Sequence, residues 1–125
     1  MRFSTRSLTL AFGLLVPTTV RAFTPGPWST ADTLWEVAYA SVVAVDCTQS
    51  VQITPSGRYE RNPFLPKHPS ANTFKFVCTA SVVGHVAISY CLPVKWRRDW
   101  QVITFFAEGA SVTSNYFYAG LAIKF

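Results

Sequence analysis

Three long apolar stretches of this chain each hold an ionisable side chain well inside them: Asp46 in the first, His85 in the second and Glu108 in the third. Each stretch is long enough to cross a bilayer, where an unpartnered acid or imidazole would be costly, so such residues face a bundle interior or a polar cavity. The pattern predicts an all-α fold: a small polytopic membrane protein whose three helices pack around a polar centre.

Composition points the same way. Half of the 125 residues are hydrophobic, 15% are aromatic and only 14% are charged, which is too apolar for an ordinary small soluble domain. The net charge of +5 would suit nucleic acid, but the basic residues lie at the chain start and between the apolar stretches, where headgroups and orientation rules place them. No basic helix or aromatic-lined basic groove appears, so nucleic acid is not an expected partner. Cys47, Cys78 and Cys91 have no close CxxC spacing and do not read as a disulfide framework, although Cys91 near a helix end could be reactive.

Residues 1–22 resemble an export signal: Arg2 and Arg6 precede an apolar run at 8–16, and Val20, Arg21 and Ala22 suit a cleavage site before Phe23. The competing reading is an additional, uncleaved membrane helix at about 8–22, which is short for a span and interrupted by Pro17, Thr18 and Thr19. Residues 23–125 form the three-span helical domain. Ser29 or Thr30 can cap a first helix over about 31–53, with Asp32 and Glu36 in its first turns, the sign the helix dipole favours. Four prolines and a glycine in the connection that follows predict an ordered, tight loop. A second helix runs over about 73–92 and stops at Pro93; a basic turn, 94–99, leads into a third over about 100–121. The alternating pattern of a membrane β-barrel does not recur along the chain.

Helix phase adds detail. Cys78, Ser81, His85 and Ser89 recur at steps of three or four, as do Thr104, Glu108, Ser111 and Asn115, while the first helix offers Asp46 and Gln49. Turning these seams inward makes Asp46, Gln49, His85, Glu108 and Asn115 the polar core. At about 1.5 Å of rise per residue, His85 meets Glu108 in one layer, and Asp46 meets Asn115 or Gln49 about two turns deeper. The pairs Ala40 with Ala44, Ala80 with Gly84, and Ala107 with Ser111 have the small-xxx-small spacing of close helix packing. The positive-inside rule has a claim on both connections, Arg58, Arg61 and Lys67 in one and Lys95, Arg97 and Arg98 in the other, so orientation is left open.

Taken in order, Asp46-x-x-Gln49-Ser50, Glu60-x-Asn62-Pro63-x-Leu65, His68-Pro69-Ser70, His85 in an apolar helix, Leu92-Pro93, Arg97-x-x-Trp100-Gln101, Glu108 and Asn115 resemble a family of small uncharacterised bacterial and phage-encoded integral membrane proteins. The resemblance covers residues 31–120 and implies a compact helical membrane architecture without implying an activity. Pro66 stands where the family pattern leads one to expect glycine.

The expected function is that of an accessory or stabilising subunit of a larger membrane complex, in a bacterial inner (cytoplasmic) membrane. Its partners are the lipid bilayer and another membrane protein or further copies of itself, and no cofactor is expected. The alternative is an intramembrane metal site or proton relay made from Asp46, His85 and Glu108, a legitimate zinc or iron ligand set that here lacks HxxxH or HExxH spacing. Enzymatic activity is the less favoured reading: Ser81 and Ser89 share a face with His85 without making a triad. Glu60 and His68 beside Asn62 and Pro63 could form a site at the membrane edge, but more simply Glu60 ties the loop to Arg58 or Arg61 and Asn62-Pro63 sets a turn.

Overall fold

A computed structural model describes residues 25–53, 55–60, 62–63 and 65–123. The expected signal segment, residues 1–22, lies outside the described residues, as do Lys124 and Phe125. Among the described residues the fold is all-helical: α1 (Thr30–Ser50), α2 (Ala71–Cys91) and α3 (Val94–Phe117).

Local chemistry explains where each helix starts. Ser29 caps α1 in a capping box: its hydroxyl accepts from Asp32 N at 3.2 Å, and the Asp32 carboxylate accepts from Ser29 N at 2.8 Å. Ser70 caps α2 by accepting from Thr73 N at 3.1 Å. Pro93, with its fixed φ, starts α3 only two residues after α2 ends. The stretch read from sequence as a basic turn, 94–99, is therefore helical, and α3 begins six residues earlier than expected. The expected ends at 53, 92 and 121 likewise move to Ser50, Cys91 and Phe117. Beyond α3 the chain reverses at Gly120, whose φ of 61° is the left-handed conformation glycine adopts without strain, and Leu121 N reaches Asn115 O at 3.0 Å.

α1 packs chiefly on α3, less on α2, and α2 touches α3 least. Ahead of α1, Pro25 to Ser29 run extended and support the first turn of α3; a Cβ on Gly26 would collide with the Val94 side chain. The described part of the α1–α2 connection is held by backbone hydrogen bonds. Glu60 N bonds Lys67 O at 3.0 Å, Leu65 N bonds Asn62 O at 3.1 Å, and Pro69 is fully buried. A small hydrophobic cluster of Ile53, Phe74 and Leu121, joined by Leu65, closes that end of the bundle.

The cysteines depart from expectation. Cys47 of α1 and Cys78 of α2 form a disulfide across a sequence separation of 31 residues, with Cα atoms 6.2 Å apart. Cys91 is unpaired and exposed.

Candidate functional site

The deepest side chains of this small bundle are polar. Arg97, Gln49, Gln101 and Ser89 are almost completely buried, with Asp32, Glu36 and His85 close behind. They fall on single helix faces: Asp32, Glu36, Tyr39 and Val43 on α1, and Arg97 and Gln101 on α3, at steps of three or four.

Arg97 organises the end where α1 begins and α2 turns into α3. Its Nε donates to Ser89 O at 2.8 Å, Nη1 to Pro27 O at 3.0 Å and to Asp32 at 3.1 Å, and Nη2 to Gly26 O at 2.8 Å and Leu92 O at 3.1 Å. All five guanidinium N–H donors are thereby used, and one side chain joins the extended lead segment to all three helices. Burial alone would push the Asp32 carboxyl up. The hydrogen bonds from Ser29 and the adjacent Arg97 outweigh it and hold that carboxyl below its ordinary range. The guanidinium also lies 5.1 Å from the Trp28 ring centroid, and that of Arg98 lies 5.7 Å from Trp35.

One turn further in, Glu36 binds both neighbouring helices. Its carboxylate accepts from Gln101 Nε2 at 2.9 Å and from His85 Nδ1 at 2.7 Å. The other ring nitrogen of His85 lies 2.7 Å from the Thr104 hydroxyl. The imidazole stacks between Tyr39, with centroids 3.7 Å apart, and Trp100, at 5.2 Å. Tyr39 in turn meets Ser81 at 3.1 Å. His85 thus does not meet Glu108, as expected from helices read over 73–92 and 100–121. Because α3 starts at Val94, the pairing across the α2–α3 turn moves by six residues, about 9 Å, and brings Trp100, Gln101 and Thr104 to the histidine.

A second polar layer lies toward the α1–α2 connection. Asn115 Nδ2 donates to Asp46 at 2.7 Å, and the Ser50 hydroxyl donates to the other Asp46 oxygen at 3.3 Å, so the structure does bring Asp46 to Asn115. Gln49 bonds backbone rather than Asp46, donating to Val112 O at 3.3 Å and Leu121 O at 3.2 Å. Asp46, Ser81, Glu108, Ser111 and Asn115 line a cavity of about 470 Å³ that Glu60 and Asn62 of the connection also reach. Glu60, expected to tie the loop to Arg58 or Arg61, accepts from Asn62 N at 2.7 Å, with Pro63 exposed beside it.

Asp46, His85 and Glu108 therefore do not converge: both imidazole nitrogens are engaged one layer away, and no cluster of three metal-ligating side chains exists among the described residues. The residues that do most to join the helices, Asp32, Glu36, Arg97 and Gln101, were not among those expected in the core. Extending the α1 seam back from Asp46 through Tyr39 to Glu36 and Asp32, and the α3 seam back from Thr104 to Gln101 and Arg97, finds all four. Two of the small-residue pairs also depart from expectation. Ala80 and Ala107 are exposed and the space beside Gly84 is open, so these residues do not mark contacts within the bundle.

Comparison with protein-family models, curated proteins and solved structures finds no match.

Proposed function

We propose that this is a small integral membrane protein, a three-span bundle whose buried polar seam holds the helices together and whose outer face packs against a larger membrane protein as an accessory subunit. The observation that carries the proposal is the inverted distribution of side chains. Arg97, Gln49, Gln101 and Ser89 are inside, while Phe76, Val83, Ile103, Phe106 and Phe117 are each more than 60% exposed. In water, so much exposed apolar surface is a liability. In lipid, the same arrangement turns the apolar faces to hydrocarbon and keeps the polar side chains out of it.

Among the described helices only α2 is long and apolar enough to cross a membrane by composition alone. The charges that count against α1 and α3 are mostly turned into the bundle, as with Asp32, Glu36 and Arg97, or lie in the first turns, as with Lys95, Arg98 and Asp99. All four tryptophans, Trp28, Trp35, Trp96 and Trp100, belong to the end where α1 and α3 begin. Exposed Tyr59, Tyr116 and Tyr118 belong to the other. Such girdles suit the two membrane interfaces, and on this proposal Asp32 lies at headgroup level, outside the hydrocarbon. Membership of the small bacterial or phage membrane-protein family and residence in a bacterial inner membrane belong to this proposal.

α2 supplies the docking face. Only Phe74, His85 and Ser89 of its 21 residues are buried. Its outward stripe of Phe76, Ala80, Val83, Ala87 and Tyr90, with open space beside Gly84, has the small-residue spacing that admits a second helix. The occupant is a transmembrane helix of another protein. The test is a photo-crosslinking side chain at Val83 in native membranes. A single protein adduct of defined mass, lost on Gly84→Leu while the bundle still folds, is expected; adducts to lipid alone, or to a second copy of this chain, would reject the accessory role.

A further inference from the structure

The thiols are distributed unevenly along the bundle. Cys47, three residues before the end of α1, is bridged to Cys78, in the second turn of α2, so the disulfide lies near the end that carries the α1–α2 connection. Cys91, the last residue of α2, lies at the opposite end, exposed and unpaired. Disulfides form and persist in oxidising compartments, whereas thiols in reducing ones stay free. Basic residues flank both ends, Arg58, Arg61, Lys67 and Lys75 at one and Lys95, Arg97 and Arg98 at the other.

We propose that the bundle sits with its α1–α2 connection and the Cys47–Cys78 bridge toward the oxidising side of the membrane, and with the Arg97 end and Cys91 toward the reducing side. The inference rests on the membrane reading above. Formation of the bridge requires a disulfide-carrying oxidase on that side: a Cys47 or Cys78 thiolate attacks its disulfide to form a mixed disulfide, the second cysteine attacks that bond and displaces the oxidase thiolate, and two thiol protons and two electrons pass to the oxidase, which leaves as the dithiol.

Two consequences follow. The polar cavity of Asp46, Glu108 and Asn115, reached by Glu60 and Asn62 of the connection, occupies the oxidising half of the bundle, in a bacterium the periplasmic half. The start of α1 faces the reducing side, which is incompatible with a cleaved signal delivering that start across the membrane.

The full-length chain in spheroplasts tests this with a membrane-impermeant maleimide, applied before lysis, followed by intact-mass and peptide analysis. Cys47 and Cys78 are expected to resist labelling until reduced, and Cys91 to label only after permeabilisation. In a Cys91→Ser background, Tyr59→Cys on the exposed connection is expected to label in intact spheroplasts. Labelling of Cys91 in intact spheroplasts, protection of Tyr59→Cys, or recovery of Cys47 and Cys78 as thiols would overturn the orientation. Loss of the chain from membranes on alkaline carbonate washing would overturn the membrane reading itself, and so separates the two failures.

Discussion

Replacing Arg97 by methionine removes five hydrogen bonds from a fully buried site while roughly keeping side-chain length. Not every lost bond counts fully. Asp32 keeps its bonds from Ser29, and Gly26 O and Pro27 O, near the bundle end, can recover water. Ser89 O is deeply buried, and an unsatisfied buried acceptor costs about 1–3 kcal/mol. Adding the broken ion pair with Asp32 brings the total to about 3–5 kcal/mol, the usual cost of removing one partner of a buried pair. Set against a total stability on the order of 5–15 kcal/mol, that is about a fifth or more of what holds the fold. Arg97→Lys keeps the charge but has three donors and no planar fork, so its cost is about 1–3 kcal/mol. The assay is denaturation by SDS in mild detergent, followed by tryptophan fluorescence, which Trp28 beside the guanidinium makes sensitive to this site. The expected order of stability is wild type, Arg97→Lys, Arg97→Met. A methionine variant within about 1 kcal/mol of wild type, smaller than a typical single-substitution effect in this class, would refute the claim that Arg97 ties the helices together.

His85→Ala leaves Glu36 with one fewer donor and opens the stack between Tyr39 and Trp100; a loss of about 3–5 kcal/mol is expected in the same titration. Glu108→Gln should cost under about 1 kcal/mol, because Glu108 makes no hydrogen bond among the described residues and stands beside the Asp46 carboxylate, so an amide there removes like charge; a collapse of the fold would show a partner this account lacks. Since the folded Asp32 carboxyl is held below its ordinary 3.8, its contribution is fully present above that value and lost as pH falls through the lower folded one. Melting of wild type and Asp32→Asn should therefore converge only below about pH 4, and parallel curves down to pH 2 would contradict the assignment.

Much of the bundle was legible because it is written in local chemistry. Ser29 and Ser70 announce helix starts, Pro93 ends one helix and begins the next, and steps of three and four identify the inward faces. Which seam residues meet was less legible, because that depends on axial offset between helices. Reading 94–99 as a turn placed Glu108 opposite His85, and treating it as the first turns of α3 places Trp100 and Thr104 there. The basic residues misled because Lys95, Arg97 and Arg98 oppose the dipole at a helix start. Arg97 resolves the conflict by spending its charge on Asp32 and four backbone carbonyls, a solution visible only once the chain is folded. The Cys47–Cys78 bridge was equally hidden, since spacing along the chain says nothing of two helices lying 6.2 Å apart at those Cα atoms.

The central claim is that the apolar outer faces meet lipid while the polar seam does not meet water. Spin labels at Val83, Ile103 and Phe106, introduced singly into the full-length chain reconstituted in bilayers, test it through relaxation by oxygen, which concentrates in hydrocarbon, and by a water-soluble nickel chelate. The account predicts strong oxygen access and shielding from the chelate at all three positions; ready access of the chelate to all three would contradict it.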